Sequence, residues 1–149
     1  MDNNSATTQA NMTFDWPIRV YYEDTDSGGV VYHANYLNFM ERARTEWLRS
    51  LGFEQTALKD ELNVLFVVHS MALQFKSPAK FNDALIVQSQ LLEMGHGSIG
   101  FTQTVLREQQ TLLVATVKLA CVDSVRFKPV VIPAVIKAAL LPLVKNVAF

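Results

Sequence analysis

Tyr21-Tyr-Glu-Asp-Thr-Asp-Ser-Gly-Gly-Val-Val-Tyr-His-Ala-Asn-Tyr36 joins an extended segment to a long amphipathic helix. On its N-terminal side Ile18, Val20 and Tyr22 alternate with Arg19, Tyr21 and Glu23, the period of a half-buried strand. Asp24-Thr-Asp-Ser-Gly-Gly29 is dense in turn formers, so the chain leaves the strand there. On its C-terminal side Tyr36, Phe39, Met40, Ala43, Trp47 and Leu48 recur at helical spacing. Glu41, Arg42, Arg44, Thr45 and Arg49 fall between them, which predicts an amphipathic helix from about Asn35 to Leu51, stopped by Gly52.

A shorter helix is predicted over Glu54–Leu62. Runs rich in β-branched and apolar residues follow at Val64–Ser77, Ala84–Met94, Ser98–Arg107 and Leu112–Asp123. Gly95-His-Gly97 and Glu108-Gln-Gln-Thr111 read as hairpin connections. Pro133 opens a last helix with Val135, Ile136, Ala139, Leu140 and Val144 on its apolar side, and Pro142 ends or kinks it. The order of strand, long helix and antiparallel strands predicts an α+β fold, one domain over residues 14–149 behind a polar tail over 1–13. Val64–Val68 and Leu112–Val122 are near-continuous in apolar residues, as strands covered on both faces are. One helix covers only one face of a sheet, so something else must cover the second face or a sheet edge; a second copy of the chain is the expected cover and a homo-oligomer is expected.

Composition narrows the partners. Half of the 149 residues (50%) are hydrophobic, 18% are charged and the net charge is −1. Such a chain buries a core without metal or disulfide staples and lacks the basic surplus of a nucleic-acid binder. Cys121 is the single cysteine and lies in an apolar run, so it reads as a small buried hydrophobe and not as a nucleophile. The tail has neither the apolar stretch of a secretory signal nor the arginines of a transit peptide. No run of roughly 18 apolar residues occurs to span a membrane, and the expected location is the cytoplasm. His33, His69 and His96 lack metal-ligand spacing, and Asp24 and Asp26 lack further oxygen ligands nearby, so neither a metal nor a cofactor is expected. His69 reads as a core or surface residue and His96 as a turn residue. No nucleophile elbow, phosphate loop or dinucleotide fingerprint is present.

The turn before the long helix carries the chemistry. If the backbone stays extended through it, Asp24 and Asp26 project to one side about 7 Å apart. Two glycines let the main chain approach a ligand closely. The helix start offers unpaired N–H groups and the positive end of a dipole to a developing oxyanion. A carboxylate facing such a turn suits acyl transfer. The same residues also suit an ordinary strand–turn–helix connection, with Asp as an Asx-turn or N-cap residue.

Tyr22-Glu-Asp-Thr-Asp-Ser-Gly-Gly-Val-Val-Tyr-His-Ala-Asn-Tyr36, followed by Phe39, Glu41, Arg42, Ala43, Arg44 and Glu46, resembles the hotdog-fold acyl-CoA thioesterases of the 4-hydroxybenzoyl-CoA thioesterase type. The match is to the bacterial branch associated with the Tol–Pal envelope system. Phe66-Val-Val68, Ser77-Pro-Ala79, and Asp123 with Lys128-Pro129 support it, and the element order agrees from about Phe14 to Pro133. The resemblance implies a central helix wrapped by a five-stranded antiparallel sheet, assembled as a dimer or dimer of dimers with active sites at the subunit interface. It implies hydrolysis of acyl-CoA thioesters, with Asp26 as nucleophile or general base. The oxyanion would meet backbone N–H groups near His33, whose imidazole adds a hydrogen bond or positions the thioester. Gly29, Val30, Tyr32, Asn35, Tyr36 and Lys76 take substrate-binding positions, and Lys76, Lys80, Arg126 and Lys128 are candidates for the coenzyme A phosphates. Contact with an acyl carrier protein or an envelope complex is implied by the resemblance alone. A non-catalytic acyl-CoA or acyl-carrier-protein binding module is the alternative on the same fold. A hotdog dehydratase is a second alternative, and its motif is absent.

Overall fold

Alternation along the later strands sends one set of side chains inward. In β3 (Ala84–Met94) Leu85, Val87, Ser89 and Leu91 are buried while Ile86, Gln88 and Gln90 are half-buried. β4 (Ser98–Arg107) buries Ile99, Phe101, Gln103 and Val105, and β5 (Gln110–Asp123) buries Leu113, Ala115, Val117, Leu119 and Cys121. With β1 (Thr13–Arg19) and β2 (Val64–Phe75) they form one five-stranded antiparallel sheet, ordered β1-β3-β4-β5-β2, in a computed structural model that describes residues 12–144. The long helix, Asn35–Ser50, buries Tyr36, Phe39, Met40, Ala43, Arg44, Trp47 and Leu48.

Two apolar clusters fix that packing. Phe39 and Met40 meet Ile18, Val20, Leu85, Val87 and Leu113 in the first. Trp47 meets Leu91, Phe101, Ile136 and Leu140 in the second, with its ring 6.0 Å from that of Phe101 and 5.8 Å from that of Phe14. Between helix and sheet runs a short polar chain. Arg44 donates to Gln103 Oε1 (2.9 Å), and Gln103 Nε2 donates to Met40 O (3.0 Å) and Ser89 Oγ (2.9 Å).

Several boundaries differ from the sequence expectation, each for a local reason. The first strand begins at Thr13 and ends at Arg19, and Tyr22–Asp24 forms a 3₁₀ turn instead of continuing it. The polar tail therefore ends before Thr13; residues 1–11 lie outside the described residues. Val20 N–H still reaches Asp83 O (3.0 Å), but Asp24 N–H bonds Tyr21 O (3.0 Å) and closes the chain into the turn. β5 starts at Gln110, behind a two-residue turn of Glu108 and Gln109, and β2 stops at Phe75. The short helix is one α-turn, Gln55–Ala57, running into a wider π turn, Leu58–Leu62. In the last helix, Ala134–Leu140, Ile136 and Leu140 are buried but Val135 faces outward; the expected stop at Pro142 falls in the 3₁₀ turn Leu141–Leu143. Near-continuous burial is not observed in β5: Thr116 and Lys118 are exposed on its outer side.

Phe39 sits at the centre of the first cluster with no exposed surface. Phe39→Ala is expected to lower the unfolding free energy by about 3–5 kcal/mol, through lost transfer energy plus a cavity, as measured by chemical denaturation.

Candidate active site

The turn between β1 and the helix assigns its carboxylates to different tasks. Asp24 is buried, and its Oδ2 accepts Tyr21 N–H (2.8 Å) while its Oδ1 accepts Asn35 Nδ2 (2.6 Å). Its carbonyl accepts Tyr32 N–H (2.9 Å). These bonds replace the water that a buried carboxylate loses, and they tie the 3₁₀ turn to the first residue of the helix. The expectation that both carboxylates project to one side of an extended chain is therefore corrected. Asp26 is exposed on the next turn.

Asp26 forms the tip of a tight reversal. Its N–H bonds Val30 O (2.9 Å), Gly29 N–H bonds its carbonyl (3.0 Å), and Thr25 bridges Val31. Oδ1 accepts Gly28 N–H at 2.8 Å, the Asx-turn contact, and Oδ2 makes no hydrogen bond among the described residues. Both glycines have a physical reason. Gly29 holds φ +82°, and a Cβ on Gly28 would stand 3.2 Å from Asp26 Oδ1. Val31 N–H then bonds Ala79 O (2.8 Å), and Val30 bridges Lys80, so the reversal is pinned against the segment after β2.

The helix start is the third element. Asn35 N–H bonds Tyr32 O (2.8 Å), and no side chain caps the helix. The backbone N–H groups of His33 and Ala34 find no acceptor among the described residues. Unpaired N–H groups at the positive end of a sixteen-residue helix attract developing negative charge. Beside them lies a groove of about 260 Å³ lined by Val31, His33, Tyr36, Phe75, Lys76, Ser77 and Pro78. Tyr36 is its buried wall. Its ring meets Phe75 edge-on at 5.8 Å, and its oxygen accepts Ala79 N–H (3.0 Å), leaving the phenolic proton free to donate. Burial pushes the Tyr36 phenol above its ordinary value, against the opposing pull of the Ala79 N–H and the Arg107 charge.

The fold thus brings His33, Tyr36 and Lys76 to one groove and holds Gly29 and Val30 in the adjoining reversal. Asp26 is not among the groove-lining residues of its own chain. Asn35 spends its amide on Asp24 and on Asn38, whose Nδ2 donates to Asn35 Oδ1 (2.8 Å). Tyr32 is exposed, its ring tilted against that of His33 at 4.6 Å. Arg126 and Lys128 lie away from the groove, on an exposed loop closed by Asp123, whose Oδ2 accepts Arg126 N–H (2.6 Å). His69 is exposed on β2, His96 is exposed in its turn, and Cys121 is buried, with burial pushing its thiol upward. The sequence reading missed Phe75 as a groove residue. Pro78, which follows the end of β2, was the available signal that the chain turns back there. Among the described residues no cluster of His, Cys, Asp or Glu is placed to hold a metal, and no helix is long and apolar enough to cross a membrane.

Comparison with known proteins agrees with this architecture. The family model of the thioesterase-like superfamily matches residues 20–140. The acyl-CoA thioesterase YbgC of Haemophilus influenzae is 50% identical over 126 residues, covering 85% of this chain and 93% of that protein. The acyl-CoA thioesterase YbgC of Helicobacter pylori is 34% identical over 131 residues, covering 82% of this chain and 96% of that protein. A probable thioesterase from Bartonella henselae superposes with a TM-score of 0.78 at 35% identity, covering 81% of this chain and 99% of that one. A helix wrapped by a five-stranded antiparallel sheet, a Gly-rich reversal at the helix start and these matches together make the chain a member of the thioesterase-like, hotdog-fold superfamily.

Proposed function

We propose that the protein hydrolyses acyl-CoA thioesters to the free acid and coenzyme A, with Asp26 as the catalytic carboxylate. The observation that carries the proposal is the reversal at Asp26–Gly29. It presents a carboxylate with one free oxygen a few residues before the unpaired N–H groups of His33 and Ala34. The family membership and the names of the relatives support the substrate class.

In the general-base route Asp26 takes a proton from water, and the hydroxide oxygen bonds to the thioester carbonyl carbon. The carbonyl electrons move to oxygen, where the N–H groups at the helix start stabilise them; such donors are typically worth about 3–4 kcal/mol each. The C–S bond then breaks, and the thiolate takes the proton held by Asp26. In the nucleophilic route Asp26 itself bonds to the carbonyl carbon, and the C–S bond breaks to release the coenzyme A thiolate and leave an anhydride. Water then cleaves the anhydride, returning the Asp26 carboxylate, releasing the acid and supplying the proton that the thiolate takes. Both routes need the carboxylate charge and end at the same products. Tyr36, with its free phenolic proton, and Lys76, in the groove lining, are the side chains proposed to orient the thioester and its pantetheine arm. Lys80, adjoining Val30, and Arg126 and Lys128 on the loop after β5 remain the candidates for the phosphates.

We propose further that a second copy completes the site. β2 is a twelve-residue edge strand, with Val68 and Phe75 exposed, and it leads directly into the groove segment Lys76–Pro78. A long unpaired strand edge is a template for another strand. A copy docked there would bring its own reversal toward a groove that lacks Asp26 in one chain.

Asp26→Asn keeps size and turn preference but removes charge. It is expected to cut kcat in a thiol-release assay by about 10²–10⁴-fold, with KM and Tm little changed. Asp24→Ala is expected to destabilise instead, by about 1–3 kcal/mol, because it strips the Tyr21 N–H and the Asn35 amide of their partner. An Asp26→Asn variant as fast as the parent overturns the catalytic assignment. Retained acyl-CoA binding without thiol release in the parent identifies a binding module. Sedimentation at micromolar concentration is expected to show a dimer or a multiple of it, and a monodisperse monomer overturns the composite site.

A further inference from the structure

Asp26 rides on a stretch of chain whose two ends rest on one short segment, residues 79–83, between β2 and β3. Before the 3₁₀ turn, Val20 N–H bonds Asp83 O (3.0 Å) and Val20 O accepts Asn82 N–H (2.9 Å). Behind the reversal, Val31 N–H bonds Ala79 O (2.8 Å) and Val30 bridges Lys80. Ala79 N–H also meets the Tyr36 phenol, so the same segment holds the buried wall of the groove. Val20, Val31 and Ala79 are all buried. A shift of residues 79–83 therefore moves the Asp26 reversal and Tyr36 together.

That segment belongs to no helix or named strand, and Asn82 turns it at φ +70°. Side chains supply what regular structure does not. Asp83 Oδ2 accepts Lys80 N–H (2.9 Å) and Arg107 Nη1 (2.8 Å). The same Arg107 nitrogen donates to Pro78 O (3.3 Å), and Nη2 donates to Gln110 Oε1 (2.9 Å). Gln110 Nε2 in turn reaches Ser77 Oγ (3.4 Å). One guanidinium fork thus spans both ends of the segment and ties it to the hairpin where β4 ends and β5 begins. The two side chains are 27% and 22% exposed, so their attraction is less screened than that of an open surface pair. Burial raises the Asp83 carboxyl, but the Lys80 N–H and the Arg107 guanidinium together hold it below its ordinary value.

We infer that Arg107 and Asp83 are positioning residues, which set the place of the Asp26 reversal and of Tyr36 by fixing residues 79–83. The inference rests on the catalytic reading of Asp26. Neither residue lines the groove, so both act through the backbone they hold. Misplacing a reacting group by about 1 Å costs on the order of 10²-fold in rate. A contact from Arg107 to a phosphate of coenzyme A would act differently. It would show in KM and only on substrates that carry the nucleotide, whereas positioning shows in kcat whatever the leaving thiol.

The test compares Arg107→Met and Asp83→Asn with the parent in the full chain. Substrates are an acyl-CoA and the matching acyl-N-acetylcysteamine thioester, which has no nucleotide. Each variant is expected to lose about 10–10²-fold in kcat on both thioesters, with KM little changed. The double variant is expected to lose no more than the worse single one, because both changes open the same fork. Amide hydrogen exchange read by NMR is expected to quicken about tenfold at Val20 and Val31 and to stay as in the parent at the centre of β4. Unchanged exchange at Val20 and Val31 overturns the inference, and so does full kcat in both variants. Exchange that quickens equally in β4 also overturns it, as a general loss of stability. A KM rise confined to the acyl-CoA overturns it too and makes Arg107 a phosphate contact. A parent that cleaves neither thioester sinks the proposed hydrolysis instead, and exchange at Val20 and Val31 then decides whether Arg107 and Asp83 hold the reversal.

Discussion

The apolar stripe of the central helix can be buried only by a sheet that curves around it, and the rest of the molecule answers to that requirement. Tyr36, Phe39, Met40, Ala43, Trp47 and Leu48 follow a helical period, whereas β3, β4 and β5 present their inner residues at a period of two. Matching the two buries a stripe three turns long between strands and leaves both helix ends at the sheet's rim. The N-terminal end is where the chain arrives from β1 through the Gly-rich reversal. The position of the candidate site is therefore a consequence of core packing. The unpaired N–H groups at His33 and Ala34 are at the surface because the helix must begin where the sheet no longer covers it.

The two aspartates of the turn divide the labour that this arrangement creates. A reversal dense in glycine is soft, and a catalytic group on a soft loop would be poorly placed. Asp24 removes that softness by accepting from Tyr21 before the turn and from Asn35 after it. Val31 and Ala79 add a strand-like contact on the other side. Asp26 is then free of structural duty on one oxygen. A buried carboxylate that is fully bonded and an exposed one that is half bonded are suited to opposite purposes, although they are chemically identical and separated by one residue.

This division also marks where sequence reading stops. The order of elements, the helix stripe, the hairpins at Gly95–Gly97 and Glu108–Gln109 and the burial of Cys121 were legible because each rests on local periodicity or turn chemistry. The start of β1 was not, because Pro17 reads as a break; a proline is tolerated there only because β1 is an edge of the sheet. Asp24 was read beside Asp26 as one pair of turn carboxylates projecting to the same side, since its partner Asn35 is eleven residues away and meets it only after the chain folds back. Arg44 was counted with the polar face for a related reason. It lies four residues after Met40 on the inner side, and a charged residue there says nothing about burial until the sheet is in place. The groove joins Tyr36 to Ala79 across 43 residues, a separation no local pattern encodes.

The sequence offers two places where a second copy could be needed, the sheet's second face and one of its edges, and the two differ in what they leave uncovered. Outward-facing Gln88 pairs with Thr104, Gln90 with Thr102, and Thr102 with Thr116, a polar ladder that water can cover. The middle of the face is therefore polar, with Ile86, opposite Leu106, and Val114 as half-buried apolar residues on it. The edges are unequal. β1 is seven residues long and carries Pro17, which has no N–H to offer another strand. β2 is twelve residues long, with Val68 and Phe75 exposed and no proline. Its irregularity between Val68 and Ser70 bends the edge without shortening it. Of the two edges only β2 ends beside the groove, so strand pairing and completion of the proposed site call for the same surface.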